Sequence, residues 1–267
     1  MPYSLYKTLK HRHHDHGRKH HHPDHGPSAS GVTTEKSGTR EIKVVRRVLD
    51  VNDQMADRNR KMFAGNGVFV INVMSSPGSG KTTTLIKTLA RLMPEIRCGV
   101  IVGDICSTHD ADQLSVTGAP VVQINTDEFG GDCHLAAHVV EKAAEGIDLD
   151  GMDLLIVENI GNLVCPAEFD IGEDLRVVVL SVTEGEDKPI KYPLMFRECD
   201  AALVNKIDLL PYLDYDLKLA IGNIRRIHPD MTLFEISAKS EEGLDAWVQW
   251  IRNHIAAKFP EKAPANA

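Results

Sequence analysis

The sequence predicts an α/β fold: a doubly wound, mostly parallel sheet preceded by an N-terminal helix and a disordered tail. Short continuous apolar runs recur along the chain with little alternation, as expected for strands that are covered on both faces. Helical patterns separate most of these runs, and such strand–helix alternation is typical of doubly wound domains. A hydrophobic content of 42% in 267 residues is enough for a substantial core.

The first 40 residues have the composition of a disordered tail. Residues 11–40 are rich in His, Gly, Ser and Pro, and they hold too few large apolar side chains to offset the entropy of ordering. Eight of the chain's thirteen histidines cluster here: His11, His13, His14, His16, His20, His21, His22 and His25. Imidazole suits nickel, zinc and copper, so we interpret the tail as a nickel-holding segment. A purification tag or a solubilising tail is the alternative.

The elements after the tail follow one another in the order of a single domain. Apolar spacing predicts one amphipathic helix over residues 41–64, which ends near Gly65. The predicted strands are residues 68–74, 97–103, 120–125, 153–158, 175–182, 201–206 and 232–237. The predicted helices between and after them are residues 82–93, 110–117, 134–145, 212–228 and 243–257. We therefore expect a domain over residues 41–260 and a C-terminal tail over 261–267.

Charge and cysteine usage exclude several classes of protein. The formal net charge is −8, and because residues 1–40 carry seven Lys or Arg and three Asp or Glu, the body of the chain is more acidic still. An acidic body argues against a nucleic-acid partner, which needs a basic surface. The five cysteines form no repeating framework, and no apolar run approaches the length of a membrane span. We expect a cytoplasmic protein with reduced thiols.

A phosphate-binding loop is predicted between the first strand and the first helix after it. The stretch "SSPGSGKT", residues 75–82, matches G-x-x-x-x-G-K-[ST] except that Ser75 replaces the first glycine. Lys81 is placed to reach the β- and γ-phosphates, and the Thr82 hydroxyl to ligate Mg²⁺. The alternative is a glycine-rich turn with an exposed lysine. The predicted nucleotide-binding residues here are Pro77, Gly78, Ser79, Gly80, Lys81, Thr82 and Thr83.

Two later loops predict that the base is guanine. In "NKID", Asp208 can accept hydrogen bonds from guanine N1 and N2, while Asn205 and Lys206 brace the loop beside the purine. The stretch "SAK" resembles the last guanine-contacting loop of GTPases, and its residues are Ser237, Ala238 and Lys239. Three motifs in GTPase order, each at a strand end, are more specific than any one of them. The sequence therefore predicts a P-loop GTPase domain that binds GTP and GDP.

Two carboxylates complete a predicted Mg²⁺ site. Glu158 ends the predicted strand "DLLIVE", and Asp104 ends the second predicted strand. A carboxylate at a buried strand end is compensated when it lies near a metal ion. With Lys81 they form the predicted catalytic set, although helix capping or a solvated carboxylate is the alternative for each. We expect residues 104–112 to form the switch that senses the γ-phosphate, with Thr108 and Asp110 as weaker candidates.

A second metal site is predicted from cysteine and histidine. Cys133 and His134 are adjacent, just before a predicted helix, and Cys165 follows Glu158 by seven residues. Thiolate and imidazole ligands suit Zn²⁺ or Ni²⁺. Three ligands cannot close a tetrahedral site, so a solvent molecule or a second chain would be needed. Cysteines buried in the core are the alternative.

Several of these stretches together resemble one family. "SSPGSGKTT", "GDCHLAAHVV", "VENIGNLVCPA", "NKIDLLPY" and "SAKSEEGLDAW" are similar to the HypB family of hydrogenase nickel-incorporation GTPases, which belongs to the SIMIBI class of P-loop GTPases. The resemblance spans residues 41–257. It implies a GTP-hydrolysing metallochaperone that works with a partner chaperone and helps deliver nickel to the [NiFe]-hydrogenase large subunit.

The resemblance also implies site residues. In that family, positions matching Cys133, His134 and Cys165 bind metal at the interface of a nucleotide-dependent homodimer. Some members carry an N-terminal cysteine-rich nickel motif, which we expect to be absent because no cysteine precedes Cys98. The histidine tail would then store nickel. A urease-type nickel GTPase is one alternative, although its Cys-Pro-His motif is not matched at Cys133–His134. A nickel-storage protein in which GTP only controls dimerisation is another.

Overall fold

The computed structural model describes residues 38–105, 108–129 and 133–262, and the chain from Arg40 onward forms one compact unit. The eight clustered histidines and residues 1–37 of the predicted tail lie outside the described residues, as does most of the predicted C-terminal tail. Residues 38–40, which we predicted to belong to the disordered tail, form the start of the first helix. In the part of the chain that is described, no helix combines the length and the apolar character needed to cross a bilayer.

In the described part of the chain, seven strands form one sheet in the order β3-β2-β4-β1-β5-β6-β7, and every neighbouring pair is parallel. The predicted doubly wound parallel sheet is therefore confirmed. The strands are β1 Phe69–Ser75, β2 Cys98–Asp104, β3 Val121–Asn125, β4 Leu154–Gly161, β5 Leu175–Ser181, β6 Ala201–Asn205 and β7 Thr232–Glu235. Strand order reverses beside β1, and ligands bind at such a switch point beyond the carboxyl ends of the strands.

Helices cover both faces of the sheet. The α-helices are α1 Gly38–Gly65, α2 Lys81–Leu92, α3 His109–Ser115, α4 Ala137–Ala144, α5 Lys188–Lys191, α6 Pro193–Glu198, α7 Leu217–Ile227 and α8 Leu244–Lys258. Short 3₁₀ helices span Thr126–Phe129, Cys165–Ala167, Ile207–Tyr212 and Pro260–Lys262. The predicted N-terminal helix and the helix after the phosphate loop are confirmed to within a few residues.

The connection between β5 and β6 differs from the prediction, which placed no helix there. The structure forms α5 and α6, and each has a proline in its first turn. Proline suits that position because the N–H it lacks would have no partner inside the helix. The helix predicted over residues 212–228 is also shorter in the structure, where α7 spans Leu217–Ile227. Its start is fixed by the Asp216 side chain, which accepts a hydrogen bond from the N–H of Leu219.

The core lies on both faces of the sheet because alternate residues of a strand point to opposite sides. On one side, Ile71 of β1 packs in a cluster with Leu89 of α2 and Trp247 of α8. On the other side, Val70 packs in a cluster with Phe63 of α1. The sheet is thus packed on both faces, and the motifs identified above lie along its carboxyl edge.

Candidate nucleotide site and cysteine pair

The phosphate loop follows β1 and leads directly into α2. Gly78 and Gly80 have φ angles of +77° and +90°, a region that favours glycine. A Cβ at Gly80 would lie 2.6 Å from Nδ2 of Asn205, so the loop has no room for a side chain there. The Ser79 hydroxyl is buried and has no hydrogen-bond partner among the described residues. The loop therefore offers polar groups and a helix N-terminus to an anion, as the sequence predicted.

Lys81, Thr82 and Glu158 converge at the centre of the site. Glu158 Oε1 lies 2.6 Å from Lys81 Nζ and 2.7 Å from Thr82 Oγ1. Its other oxygen, Oε2, is buried and has no hydrogen-bond partner among the described residues. A buried carboxylate oxygen of this kind is costly unless a further donor or a cation reaches it. The donor set of hydroxyl and carboxylate oxygens fits Mg²⁺.

The position of Glu158 in its strand corrects the prediction. We expected Glu158 to end its strand, but β4 continues to Gly161. Glu158 pairs in register with Val73 of β1 and Val102 of β2, so it lies inside the sheet. Its side chain reaches the phosphate loop because Lys81 and Thr82 begin the helix that crosses above the strand. Pairing of β1 with β4 continues past the acidic residue to Ser75 and Gly161, and no pattern in the sequence indicates that extension.

A cavity of about 580 Å³ is lined by Lys81 and Thr82, and the buried Glu158 that they contact lies behind this lining. Asp104 and Asp110, both predicted to lie near the γ-phosphate, line it. Asp104 Oδ1 also accepts a hydrogen bond of 2.6 Å from the N–H of Ile105. Thr108 is not part of the lining, and its hydroxyl donates to Asp112 at 3.1 Å. Residues 106 and 107 of the predicted switch lie outside the described residues.

The structure adds residues that the sequence analysis did not single out. His109 and Gln113 face the same cavity from α3. Glu184 accepts a hydrogen bond from the Ser76 hydroxyl and, at 3.1 Å, from the N–H of Ser181. It thereby ties the phosphate loop to the end of β5. The available signal was an acidic residue just past a strand, the same signal that indicated Glu158.

The loops predicted to read guanine meet beside the phosphate loop. Asn205 Nδ2 donates to the Ser79 carbonyl at 2.9 Å, and Asn205 Oδ1 accepts from the N–H of Ala238 at 3.0 Å. Lys206, with a φ of +66°, donates from Nζ to the Gly78 carbonyl at 2.6 Å. Asn205 ends β6, so Lys206 lies just past the strand that we predicted to include it. Asn205 thus connects the phosphate loop, its own "NKID" loop and the "SAK" loop.

Asp208 lines a smaller cavity of about 230 Å³ together with Ala238 and Lys239. Its Oδ1 accepts a hydrogen bond of 2.6 Å from the Ser237 hydroxyl. Residues 237–239 lie beyond β7, which ends at Glu235 rather than at residue 237 as predicted. A carboxylate fixed by a serine beside a cavity of this kind has the chemistry to accept from N–H groups of a guanine edge.

The structure brings two of the three predicted thiolate and imidazole ligands together. Cys133 Sγ and Cys165 Sγ are 2.7 Å apart, and both are free thiols that are partly exposed. The hydrogen bond from Cys133, followed by burial, raises the pKa of the Cys165 thiol. The His134 ring stacks on Phe169 with centroids 3.8 Å apart. Within the described residues, no group of three or more His, Cys, Asp or Glu side chains is arranged to hold a metal ion.

Two other described cysteines contrast with this pair. Cys98 and Cys199 are buried in the core. Burial raises the pKa of the Cys98 thiol to about 12 and that of Cys199 further still. Both are therefore protonated thiols enclosed in the core, where a metal ion does not reach them. Of the four cysteines in the described ranges, only Cys133 and Cys165 have the exposure that a metal site needs.

Comparison with known proteins identifies the family. The model of the CobW/HypB/UreG nucleotide-binding domain matches residues 69–235. The hydrogenase maturation factor HypB of Escherichia coli K12 is 46% identical over 245 residues, which cover 92% of this chain and 80% of that protein. The chain belongs to the HypB family.

Solved HypB structures share this fold. HypB from Helicobacter pylori, crystallised in complex with nickel, has a TM-score of 0.72 at 33% identity and covers 81% of this chain and 99% of its own. HypB from Archaeoglobus fulgidus has the same TM-score and identity, with 77% and 99% covered. A HypB relative from Helicobacter hepaticus, 39% identical over 77% of this chain and 84% of its own length, is described as a hydrogenase/urease maturation factor.

Proposed function

We propose that this HypB-family chain hydrolyses GTP to GDP and phosphate and uses the cycle to deliver nickel during maturation of [NiFe]-hydrogenase. The observation that carries the proposal is the convergence of Lys81 and Thr82 on a buried Glu158 beneath a cavity of about 580 Å³. The relatives named as hydrogenase maturation factors and the HypB structure in complex with nickel support the biological context.

The phosphate chemistry follows from the side chains in the cavity. The loop amides and Lys81 hold the β- and γ-phosphates, and Thr82, Asp104 and Glu158 are the candidate ligands of Mg²⁺. The ion, when bound, neutralises charge on the phosphate oxygens. Lys81 leaves its contact with Glu158 to reach a phosphate, and a cation beside Glu158 would compensate for that loss. The catalytic set thus remains Lys81, Asp104 and Glu158.

Nickel is the proposed cargo of Cys133, His134 and Cys165, and the same donors suit Zn²⁺. Among the described residues of one chain, two of the proposed donors lie together, the sulfurs of Cys133 and Cys165 at 2.7 Å. A second copy of the chain would therefore complete the site, in keeping with a GTP-dependent homodimer. We also propose a cytoplasmic location, a partner chaperone as nickel donor, and the hydrogenase large subunit as acceptor.

The urease-type alternative is favoured by one observation, the relative whose name includes urease maturation. Hydrogenase activity and urease activity in cells that lack this chain distinguish the two. We expect loss of hydrogenase activity that added nickel restores in part. Loss of urease activity alone would favour the alternative. For the storage alternative, the decisive measurement is GTP turnover by the purified chain, since a store need not hydrolyse GTP.

Asp208→Asn is expected to raise the Kd for GTP. It replaces a charged acceptor by a neutral one, and hydrogen bonds to charged groups contribute about 1.5–3 kcal/mol, or about tenfold to a hundredfold in Kd. Xanthosine triphosphate should bind the variant better than GTP does, because xanthine presents a carbonyl oxygen where guanine has an amino group, and an asparagine amide can donate to it. Equilibrium titration with the two nucleotides measures both effects.

Asp214→Asn is the matched control, since Asp214 is an exposed carboxylate six residues further along the chain. Its affinities for GTP and xanthosine triphosphate should equal those of the unsubstituted chain. Unchanged GTP affinity in Asp208→Asn, or equal affinity of the unsubstituted chain for ATP and GTP, would show that the guanine assignment is wrong.

Deletion of residues 1–30 is expected to remove most of the nickel stoichiometry and to leave GTP turnover intact. The deleted segment holds all eight clustered histidines, whereas the phosphate and guanine loops lie beyond residue 74. Equilibrium dialysis with Ni²⁺, paired with phosphate release from GTP, measures the two properties. Equal nickel capacity with and without the segment rules out a storage role for it.

A further inference from the structure

The segment that carries Cys133 and His134 leads into α4. Side chains of α1 hold the end of this segment that joins the helix. Asn52 Oδ1 accepts a hydrogen bond of 2.9 Å from the N–H of Ala137. Asn59 Nδ2 donates to the carbonyl of the same residue at 2.7 Å. Asn52 and Asn59 are 5% and 0% exposed. Both backbone polar groups of Ala137 are therefore bonded to α1.

Helix α4 has no N-cap of its own. Ala136 occupies the cap position with extended φ and ψ angles of −87° and 157°, and its methyl group accepts no hydrogen bond. The first N–H groups of a helix have no acceptor inside it, and a side chain at the cap usually supplies one. Asn52, 85 positions away in the chain, supplies an acceptor for the first of them. The start of α4 thus depends on a tertiary contact.

The two asparagines are themselves fixed on their other side. Asn52 Nδ2 donates to the Asp170 carbonyl at 2.7 Å, and Asn59 Nδ2 also donates to the Ile171 carbonyl at 3.0 Å. Arg60, on the same helix, forms two hydrogen bonds of 2.7 and 2.9 Å with the Asp170 carboxylate. Because α1 is anchored to this loop, its asparagines present fixed partners to Ala137.

The cysteine end of the segment is held by β4 and the loop that follows it. Asn162 Nδ2 donates to the Cys133 carbonyl at 3.3 Å. The N–H of Leu135 donates to Asn159 Oδ1, also at 3.3 Å. These are longer than the contacts at Ala137, so the segment has a firm attachment to α1 and a looser one to β4.

We propose that Asn52 and Asn59 are positioning residues for the metal site, which fix Ala137 and thereby hold Cys133 within reach of Cys165. This inference rests on the proposed function, since it takes Cys133 and Cys165 as metal ligands. Groups that orient metal ligands contribute to affinity because the ligands need not be ordered when the ion binds. Metal affinity of the folded domain therefore depends on the contacts of Asn52 and Asn59 with Ala137.

The test uses the full chain and Co²⁺ as a probe. Absorption from thiolate-to-cobalt charge transfer arises only from sulfur ligands, so the imidazoles of the tail do not contribute to it. Asn52→Leu keeps a similar shape but removes both the acceptor and the donor. We expect the apparent Kd of the thiolate–cobalt band to rise about 10- to 100-fold. The Kd for GTP should stay unchanged, because Asn52 does not line the nucleotide cavity.

Three further variants separate an effect on the position of the metal ligands from an effect on the stability of the fold. Arg60→Gln removes an α1 contact with the Asp170 carboxylate but keeps the bonds of Asn52 and Asn59 to Ala137 and to the carbonyls of residues 170 and 171. It should therefore lower Tm and leave the cobalt Kd unchanged. Asn52→Asp keeps an acceptor for Ala137 and places negative charge at the N-terminal end of α4, which is favourable. It should retain cobalt affinity while Tm falls. Ala136→Ser, added to Asn52→Leu, gives α4 a local cap and should restore most of the affinity.

An unchanged cobalt Kd in Asn52→Leu overturns the inference while the proposed metal site stands. If Asn52→Leu does not fold, the comparison of Asn52→Asp with Arg60→Gln decides: lost affinity in Asn52→Asp overturns the inference, and retained affinity at lower Tm supports it. If the unsubstituted chain shows no thiolate–cobalt band, the proposed metal site itself fails and the inference falls with it.

Discussion

Lys81→Ala is expected to lower GTP turnover by about 10²- to 10³-fold, the usual effect of removing one fixed donor from a transition state. Lys81 Nζ lies at the floor of the phosphate cavity, 2.6 Å from the buried Glu158. Its removal takes positive charge away from the site where negative charge accumulates on the phosphate oxygens. Phosphate release at saturating GTP and Mg²⁺ measures the effect.

The same substitution leaves Glu158 buried without its ammonium partner, so Tm should fall as well. Double substitution with Glu158→Gln removes the unpaired charge and should restore part of the lost stability but none of the turnover. Lys87→Ala is the matched control, because Lys87 lies on the same helix and pairs with Glu241, outside the cavity lining. Full turnover in a folded Lys81→Ala variant would overturn the assignment of the phosphate site.

Cys165→Ala is expected to abolish the thiolate–cobalt band of the full chain and to leave the nickel capacity of the tail untouched. It removes one of two sulfurs that lie 2.7 Å apart, and no third ligand in the described residues groups with them. Cys98→Ala is the control, since it removes a thiol buried in the core. An unchanged band in Cys165→Ala would show that the metal is held elsewhere.

Metal affinity is also expected to depend on the bound nucleotide. Glu158 contacts Lys81 and Thr82, and the next residue of β4, Asn159, accepts a hydrogen bond from Leu135 of the cysteine-bearing segment. A shift of β4 when the γ-phosphate binds would therefore move both Glu158 in the nucleotide site and Asn159 beside the cysteine-bearing segment. By linkage, metal must then alter nucleotide affinity in turn. Titrations in the GDP-bound and GTP-analogue-bound forms test this, and equal affinities would exclude the coupling.

Local motifs account for what could be predicted from sequence. The phosphate loop is continuous in the chain, so local backbone geometry sets the relative positions of its glycines, Lys81 and Thr82. "NKID" and "SAK" each follow a strand, and parallel strands bring their carboxyl ends to one edge of the sheet. The proximity of these loops therefore followed from topology, although the last residues of each strand did not.

Contacts between distant residues were decided only by the tertiary structure. Glu184 reaches Ser76 across 108 positions, and Asn52 reaches Ala137 across 85. Cys133 and Cys165 meet, while His134 stacks on Phe169. Periodicity and capping rules concern neighbours within a few residues of one another. The partner of a buried polar group is set instead by how helices pack on the sheet, because a group cut off from water must bond to whatever the packing brings near it.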